Sequence, residues 1–378
     1  MRAEGPVGEV TLSTGRTAWV ITGYDEVRAI LADRRISSDV RHPNFPALVA
    51  GEQEVASRVR PFLRMDPPEH TAYRRMLVGE MTMRRARAMR RAVQRIVDER
   101  IDELLRHGGP VDLVSQFAHV VSTTVMGELI GVRRTDPWFR KITGALGSQH
   151  IGGAESSANS ATEGLDGLFE VFGGLARERA QEPGDDLLSR LIINHYRSGA
   201  LQWDELLATV TITVIAGMET TTSQIALSAL ALLQTPELLT ELQTDHTLLS
   251  GAVDELLRAL SVGDSIALRV ATEDIEINGK TIPAGAGVIP LLAAANHDPT
   301  VFPESEKIDF RRSNRSHVAF GSGVHQCVGQ NLARVELEVA IGTLFDRIPE
   351  LRLAEPIQSL EFRHGAISFG PVRVPVTW

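Results

Sequence analysis

Cysteine is almost absent from this chain of 378 residues, in which Cys327 is the only one. A single cysteine permits no internal disulfide and fits a reducing compartment, so the sequence predicts a cytoplasmic location. No apolar run reaches about 18 residues, and no membrane span is therefore predicted. The first residues also lack the apolar stretch of a signal peptide. Negative charge is in excess, with a net charge of −9, which argues against nucleic acid as the partner.

Linkers, internal repeats and low-complexity stretches are lacking too. Length alone would suggest two or three domains, but nothing in the sequence divides them. The hydrophobic content of 43% and the charged content of 23% are ordinary for a globular protein with one large core. We therefore predict a single domain over residues 1–378.

The cysteine lies in a glycine-rich stretch of ten residues, Phe320-Gly-Ser-Gly-Val-His-Gln-Cys-Val-Gly329. The residues from Gln330 onward read as an amphipathic helix, which places Cys327 at or just before a helix N-terminus. Free backbone N–H groups and the helix dipole favour a thiolate there. The glycines allow amide groups to approach the sulfur, and a flat side chain such as Phe320 can shield it. Such a thiolate is suited to bind a soft or borderline metal.

Two other interpretations of Cys327 remain open from the residues alone. The cysteine can be an inert buried residue in a glycine-rich turn. It can also form a nucleophilic pair with His325, although an i, i+2 spacing does not bring two side chains face to face on a helix.

The pattern FxxGxHxCxG from Phe320 to Gly329 resembles the haem-binding loop of the cytochrome P-450 family. The resemblance implies that Cys327 is the axial thiolate ligand of the iron of haem b (iron protoporphyrin IX). It also implies a mainly α fold, the helical prism of that family with a small β-sheet region. The β-rich part is expected at about residues 7–22 and the helical haem-binding core at about 66–378. The resemblance assigns four further loop residues to cofactor binding: Phe320, Gly321, His325 and Gly329.

A second motif, Asp66-Pro-Pro-Glu-His70-Thr-Ala-Tyr-Arg74, has the signature of a helix start. His70 and Arg74 are i, i+4 neighbours, so two donors on one helix face can hold a pair of carboxylates. A solvated basic face is the alternative. The motif resembles the family's helix that binds the haem propionates, and Arg269 matches the family's second propionate-binding arginine.

The longest predicted helix runs from Gln202 to about Gln234 and is apolar nearly all round, so it is expected in the core. Ala216-Gly-Met-Glu219-Thr220-Thr-Thr222 in its middle combines residues that are poor choices for a buried helix. The stretch resembles the family's oxygen-binding sequence. The resemblance makes Glu219 and Thr220 the acid–alcohol pair that relays protons, with Ala216 and Gly217 leaving room above the haem. A core cluster of satisfied threonines is the alternative.

Glu255-Leu-Leu-Arg258 places a carboxylate and a guanidinium on one helix face at i, i+3. It resembles the family's structural salt bridge, which the resemblance completes with Arg312.

A strand–turn–strand follows from Leu268 to about Gly285, with Asn278-Gly279 as the turn. The residues expected at the substrate pocket are Val214, Ile266, Ala267, Leu268 and Ile367, the last in a β-turn over residues 364–369.

Arginines are concentrated in one predicted helix of this acidic protein, at positions 84, 85, 87, 90, 91 and 95. An ordinary solvated face explains them. A docking patch for an acidic electron donor is the functional alternative, because complementary charge steers association.

The resemblance implies a haem-thiolate monooxygenase that inserts one oxygen atom from O2 into a hydrophobic small molecule by hydroxylation or epoxidation. The similar enzymes tailor actinomycete natural products such as polyketides, macrolides, steroids and terpenoids, including antibiotics. A ferredoxin and its NAD(P)H-dependent reductase are the expected partners of a monomer, because no flavin or nicotinamide module is evident. The alternatives are peroxygenation, oxidative coupling, nitration, or a non-catalytic haem or ligand-binding protein.

Overall fold

The computed structural model of the protein describes residues 5–48, 53, 61–147, 158–363 and 368–378. The described part is rich in helices, as the sequence predicts. The α-helices are α1 (Tyr24–Ala32), α2 (Glu69–Val78), α3 (Met83–His107), α4 (His119–Leu129), α5 (Pro137–Gly147), α6 (Ala158–Gln181), α7 (Leu187–Leu191), α8 (Trp203–Gln234), α9 (Pro236–Thr244), α10 (Leu249–Ala259), α11 (Leu292–Asn296) and α12 (Gln330–Arg347). Single π-helical turns, Val114–Ala118 and Ile192–Tyr196, precede α4 and follow α7.

The strands are short and form small sheets. They are β1 (Val7–Thr11), β2 (Thr17–Ile21), β3 (Ile36–Ser37), β4 (Val111–Asp112), β5 (Arg269–Ala271), β6 (Ile275–Ile277), β7 (Lys280–Ile282), β8 (Gly287–Pro290), β9 (Arg352–Leu353), β10 (Phe362–Arg363), β11 (Gly370–Pro371) and β12 (Pro375–Thr377). The largest sheet has the order β1-β2-β8-β5-β3, and the others are β4-β12-β9, β6-β7 and β10-β11.

The N-terminal hairpin predicted from the sequence is confirmed. β1 and β2 pair antiparallel from Val7↔Ile21 to Thr11↔Thr17. β2 also pairs in parallel with β8, in the register Ala18↔Gly287. The first strands of the chain therefore belong to one sheet with residues from its last third.

Side chains alternate between the two faces of this sheet, as the period of two in a strand requires. Ile21 and Val288 lie on the face that packs against α1, whereas Val20 and Ile289 lie on the face that packs against Phe45. The predicted turn at Asn278-Gly279 joins β6 and β7, and both residues have positive φ angles, 49° and 69°. The strands of this region thus form where the sequence pattern places them.

The helix α8 runs through the core, and its bounds agree with the prediction. The backbone N–H group of Gln202, the residue before α8, donates to Glu205 Oε2 at 2.7 Å, which satisfies one N–H group at the helix start. Among the described helices, α8 is long and apolar enough to cross a membrane by length and composition alone. However, 61% of its most apolar stretch is buried inside the protein, as in the core helix of a globular protein.

The helix α12 starts directly after the cysteine loop and packs along α3. Asn331 Nδ2 donates to the carbonyl oxygen of Met81 at 3.0 Å, and Arg90 of α3 pairs with Glu338 of α12 at 2.6 Å. The arginine-rich start of α3 therefore lies alongside α12, the helix that follows the cysteine loop.

A buried ion network forms around Glu255, in α10. Arg258, of which only 1% is exposed, donates to both carboxylate oxygens of Glu255 at 2.8 and 2.9 Å. Arg312 Nε lies 3.0 and 3.1 Å from the same two oxygens. The i, i+3 pair and its third member thus meet in the structure, and each charge has a partner that offsets its desolvation.

Arg312→Met is expected to lower the free energy of unfolding by about 3–5 kcal/mol, because it leaves part of the buried Glu255 charge uncompensated. Arg311→Met is the matched control, since Arg311 is the neighbouring residue and its side chain is 58% exposed in its pair with Glu241. The control is expected to cost at most about 1 kcal/mol. Urea unfolding of both variants at equal cofactor content is the measurement. Equal losses in the two variants would contradict the buried network.

Candidate active site at the cysteine loop

The loop around Cys327 is held by its own backbone and by α1. The amide of Cys327 donates to the carbonyl oxygen of Phe320 at 2.8 Å. Gly321 and Gly323 both have φ angles of 72°, a conformation that disfavours any side chain. A Cβ at Gly323 would collide with the backbone of Leu31 in α1. These two positions therefore require glycine.

Backbone amides surround the sulfur. The N–H groups of Gly329 and Gln330 bond to it, as the sequence pattern predicts. Burial raises the pKa of the Cys327 thiol, and those amides together with Arg74 and Arg334 oppose the increase. Cys327 is nevertheless accessible to solvent, although protein atoms surround it densely. Both properties fit a sulfur that lines an internal cleft and becomes a thiolate when a cation binds.

Phe320 is held at the start of the cysteine loop by charged and aromatic neighbours. The guanidinium of Arg334 lies 4.6 Å from the centre of its ring, and the ring of His317 lies 6.0 Å away. Arg334 in turn pairs with Asp254 at 2.9 Å. The contacts hold the ring in place, and its role as a shield of the sulfur stays a prediction.

A second group of side chains forms a buried cationic cluster, defined here as His70, Arg74, Arg269 and His325. The imidazole rings of His70 and His325 lie 4.0 Å apart. Arg269 is 6% exposed and donates to the carbonyl oxygen of Leu268 at 2.8 Å. The structure thus brings together four residues that lie up to 255 positions apart in the sequence.

Burial and mutual repulsion lower the proton affinities within the cationic cluster. Burial and then Arg74 lower the pKa of His70 from 6.5 to about 4. Burial and then Arg269 lower the pKa of His325 to about 2. Burial also lowers the pKa of Arg269 to about 9, and the nearby Arg64 contributes to this decrease. Anionic groups bound here would reverse these shifts.

Arg64 is a further cation beside the cluster, and the sequence motifs do not predict it. Its charge acts on Arg269 and His325, and its Nη1 donates to the carbonyl oxygen of Ile266 at 3.2 Å. Asp66 partly offsets the positive charge of the cluster. It accepts bonds from Ser37 Oγ and the Ser38 amide. No local motif marks Arg64, because its role depends on contacts about 200 residues away.

The middle of the helix α8 has an accessible surface at Ala216. Ala216 is exposed, although most of the surrounding helix is buried. Thr220 Oγ1 donates back to the carbonyl oxygen of Ala216 at 2.7 Å, and α8 remains α-helical throughout. Glu219 is mostly buried, and burial raises the pKa of its carboxyl group while Arg363 opposes the increase.

The expected role of Gly217 needs a different explanation. A Cβ at Gly217 would lie 2.5 Å from the sulfur of Met126 in α4. Gly217 is therefore small because α4 packs closely against α8. Its missing side chain makes room for Met126, and its place beside a cofactor stays a prediction.

Three of the five predicted substrate contacts have little accessible surface in the structure. Leu268 is fully buried and Ala267 is 6% exposed, and both side chains pack in the clusters on the two faces of the large sheet. Val214 is 2% exposed and packs in the helical core. The sequence alone did not predict this burial, because sequence spacing does not show which face of an element is accessible. Ile266 is partly exposed and stays a prediction, and Ile367 lies outside the described residues.

A metal at Cys327 needs most of its ligands from outside the protein. In the described ranges, no group of three or more His, Cys, Asp or Glu residues could hold a metal ion. A single thiolate beside a buried cationic cluster suits an anionic macrocycle that supplies the other ligands. The class of protein that this site fits is the haem-thiolate proteins.

Comparison with known proteins agrees with this class. The family model "Cytochrome P450" matches residues 174–348. Cytochrome P450 105A3 of Streptomyces carbophilus is 42% identical over 98% of this chain and 89% of its own length. Pentalenic acid synthase of Streptomyces avermitilis is 42% identical over 100% of this chain and 92% of its own length. The chain belongs to the cytochrome P450 family and is a P450 monooxygenase, an oxidoreductase.

A solved structure supports the same conclusion for the fold. The crystal structure of CYP105N1 from Streptomyces coelicolor A3(2) is 54% identical and superimposes with a TM-score of 0.94. The match covers 100% of this chain and 94% of that one. A second structure of CYP105N1 describes it as a cytochrome P450 oxidase in the coelibactin siderophore biosynthetic pathway. The helix-rich fold with small sheets is therefore the P450 fold, as predicted.

The residues present fit the haem that the family implies. Both ring nitrogens of His70 are buried and have no hydrogen-bond partner among the described residues. A buried polar group without a partner is costly, so a ligand acceptor is expected at this point. The cationic cluster suits two propionate groups, and the amide-lined sulfur suits an iron ion.

Arg269→Gln is expected to increase the rate of haem loss about 10- to 100-fold. The estimate assumes that one charge-assisted bond worth roughly 1.5–3 kcal/mol is lost. Transfer of haem to an excess of apomyoglobin is the measurement. Arg352→Gln, on the exposed end of β9, is the control and is expected to leave the rate unchanged. Equal rates in wild type and Arg269→Gln would exclude Arg269 from the haem site.

Proposed function

We propose that the protein binds haem b through Cys327 and inserts one oxygen atom from O2 into a C–H or C=C bond of an apolar small molecule. The observation that carries this proposal is the amide-lined Cys327 beside the cationic cluster. The adjacent Glu219 and Thr220 on α8 are the residues to which we assign proton delivery. Haem supplies the activation of O2 when it is bound. The residues of the chain bind it, shield its thiolate ligand and deliver protons.

Each set of residues has a separate part in this proposal. Cys327 provides the sulfur ligand, and Phe320 covers it. His70, Arg74, Arg269 and His325 hold the propionates. Glu255, Arg258 and Arg312 keep the loop in position and take no part in the chemistry.

Proton delivery is assigned to Glu219 and Thr220. The Thr220 hydroxyl donates to the Ala216 carbonyl oxygen at 2.7 Å. It must rotate away from the helix before it can donate a proton to a bound ligand. Burial raises the pKa of the neighbouring Glu219, which favours its protonated form at higher pH than for an exposed carboxyl group. A carboxyl group with a raised pKa is suited to act as a general acid.

The substrate class is proposed from the relatives. Pentalenic acid synthase and the siderophore-pathway enzyme act, by their names, in the biosynthesis of small organic products. We propose hydroxylation or epoxidation of a hydrophobic natural product, such as a polyketide, macrolide, steroid or terpenoid. A ligand screen that records the low-to-high-spin change of the haem, followed by mass analysis of the products, tests the class. Failure of all such ligands to change the spin state would count against it.

Electrons are proposed to come from a ferredoxin that an NAD(P)H-dependent reductase reduces. The enzyme itself is proposed to be a monomer with a single domain, located in the cytoplasm. The basic surface, defined as Arg84, Arg87 and Arg91, is exposed at the start of α3. None of the three has an ion-pair partner among the residues that the structure describes. Val324 in the cysteine loop is 52% exposed. A positively charged face beside the thiolate loop suits an acidic electron carrier.

Thr220→Ala is expected to keep the fold and the haem but to uncouple electron use from product formation. One proton-relay group contributes on the order of 10²–10⁴ in rate, and bound water can replace part of this. We therefore expect product per NAD(P)H to fall by about 10-fold or more, with a matching increase in hydrogen peroxide.

The matched control for this experiment is Thr222→Ala. Thr222 also donates its hydroxyl to the helix, to Met218 at 2.8 Å, but it faces Ser122 of α4 at 2.6 Å. The control is expected to change stability and leave coupling intact. Unchanged coupling in Thr220→Ala would place the proton path elsewhere.

Replacing Arg84, Arg87 and Arg91 together with glutamine is expected to raise the KM for ferredoxin about 10-fold at low ionic strength. The difference is expected to shrink as salt is added, because screening weakens exposed charges. Steady-state reduction kinetics over a salt series are the measurement. Arg106→Gln, exposed at the other end of α3, is the control. An unchanged KM in the triple variant would move the docking site to another face.

A further inference from the structure

The carboxyl group of Glu219 is held from the side of α8 by a C-terminal hairpin. Arg363, the second residue of β10, has its Nη1 3.3 Å from Glu219 Oε1 and its Nη2 2.7 Å from Ser223 Oγ. Glu219 and Ser223 are i, i+4 neighbours on α8, so the guanidinium spans one turn of the helix. Ser223 Oγ also lies 3.0 Å from Ser368 Oγ. The hairpin is thus joined to α8 through three polar contacts.

The hairpin is shaped to admit these contacts. Arg363 pairs with Gly370 across β10 and β11. A Cβ at Gly370 would lie 2.9 Å from Ser223 Oγ and 3.2 Å from Arg363 Nη2. The backbone of Gly370 does not have a positive φ angle, so conformation alone does not require glycine there. Close approach of the guanidinium and the serine does.

Among the described residues, Arg363 is also the charged group that shifts the pKa of Glu219. Burial raises the pKa of Glu219, and Arg363 acts in the opposite direction. His119 of α4 is a further titratable group near the guanidinium. Burial and then Arg363 lower the pKa of His119. The neutral form of His119 is therefore favoured, and Arg363 is left as the positive partner of Glu219.

We propose that Arg363 is a positioning residue of the reaction, which fixes the carboxyl group of Glu219 beside α8 through a guanidinium that also binds Ser223. The inference rests on the proposed role of Glu219. Without Arg363 the desolvated carboxyl group has no charged partner among the described residues. It then holds its proton more tightly and is free to change rotamer.

The test measures the protonation of Glu219 directly in the haem-loaded protein, without turnover. The C=O stretch of the protonated carboxyl group is recorded by infrared spectroscopy over a pH series. Subtracting the spectrum of Glu219→Gln removes the other carboxyl groups, including those of the haem. An opposite charge within about 4–6 Å typically lowers a carboxyl pKa by 1–3 units. Arg363→Gln is therefore expected to raise the pKa of Glu219 by about 1 unit or more.

Arg363→Lys is the matched variant, because it retains the charge and loses the two-pronged geometry. We expect it to restore most of the wild-type pKa of Glu219. A purely structural role of Arg363 predicts no such rescue. An unchanged pKa in Arg363→Gln, or an equal increase in Arg363→Lys, would overturn the proposal.

Gly370→Ala provides a second route if Arg363→Gln does not fold. The added methyl group crowds Arg363 and Ser223, so it is expected to raise the pKa of Glu219 by a smaller amount than the loss of charge. No increase would count against the proposal. The infrared result does not depend on catalysis, so it stands apart from the Thr220→Ala experiment. Normal coupling in Thr220→Ala would reject the proposed relay and leave the assignment of Arg363 to Glu219 to be decided by the titration.

Discussion

The position of the cysteine loop depends on the hydrogen bonds and ion pair made by the buried guanidinium of Arg258. It neutralises Glu255 and also donates to the carbonyl oxygen of Asn296 at 2.7 Å. Asn296 in turn donates to Ser261 at 2.6 Å and accepts the amide of Val318 at 2.7 Å, two residues before Phe320. One charged group therefore ties α10 and α11 to the start of a loop that has little regular structure of its own. Because the network is buried, loss of one member leaves polar groups without partners.

The distribution of charge sets a second constraint. The protein carries an excess of negative charge, yet its active site gathers basic side chains whose pKa values are lowered by burial and, for most of them, by neighbouring cations. Such an arrangement is unfavourable by itself and becomes favourable when two carboxylates bind between the cations. The free energy of haem binding is therefore expected to add to the stability of the folded state, as for any ligand that binds only the native form.

Local patterns predicted the parts of the fold and site whose residues are close in sequence. The β1–β2 hairpin, the Asn278-Gly279 turn, α8 and the Glu255–Arg258 pair all follow from spacings of a few residues. Contacts across the chain were not predictable in the same way. The approach of Arg363 to Glu219 spans 144 positions, and the small size of Gly217 is explained only by Met126 on another helix. The burial of Leu268 and Val214 was not predictable either, because a residue's distance from a motif does not show which way its side chain points.

The contact between α1 and the cysteine loop bears on how the enzyme is made. Tyr24 donates its hydroxyl to the carbonyl oxygen of Ser316, and Gly323 lies directly against the backbone of Leu31. The two residues of each pair are separated by 292 positions along the chain. The strands β2 and β8, which pair in the large sheet, are also far apart in sequence. During synthesis the N-terminal segment leaves the ribosome long before its partners exist, and contacts of such high sequence separation form slowly. The haem pocket is therefore completed only after the residues of the cysteine loop have left the ribosome, so the N-terminal segment must persist without these contacts until then.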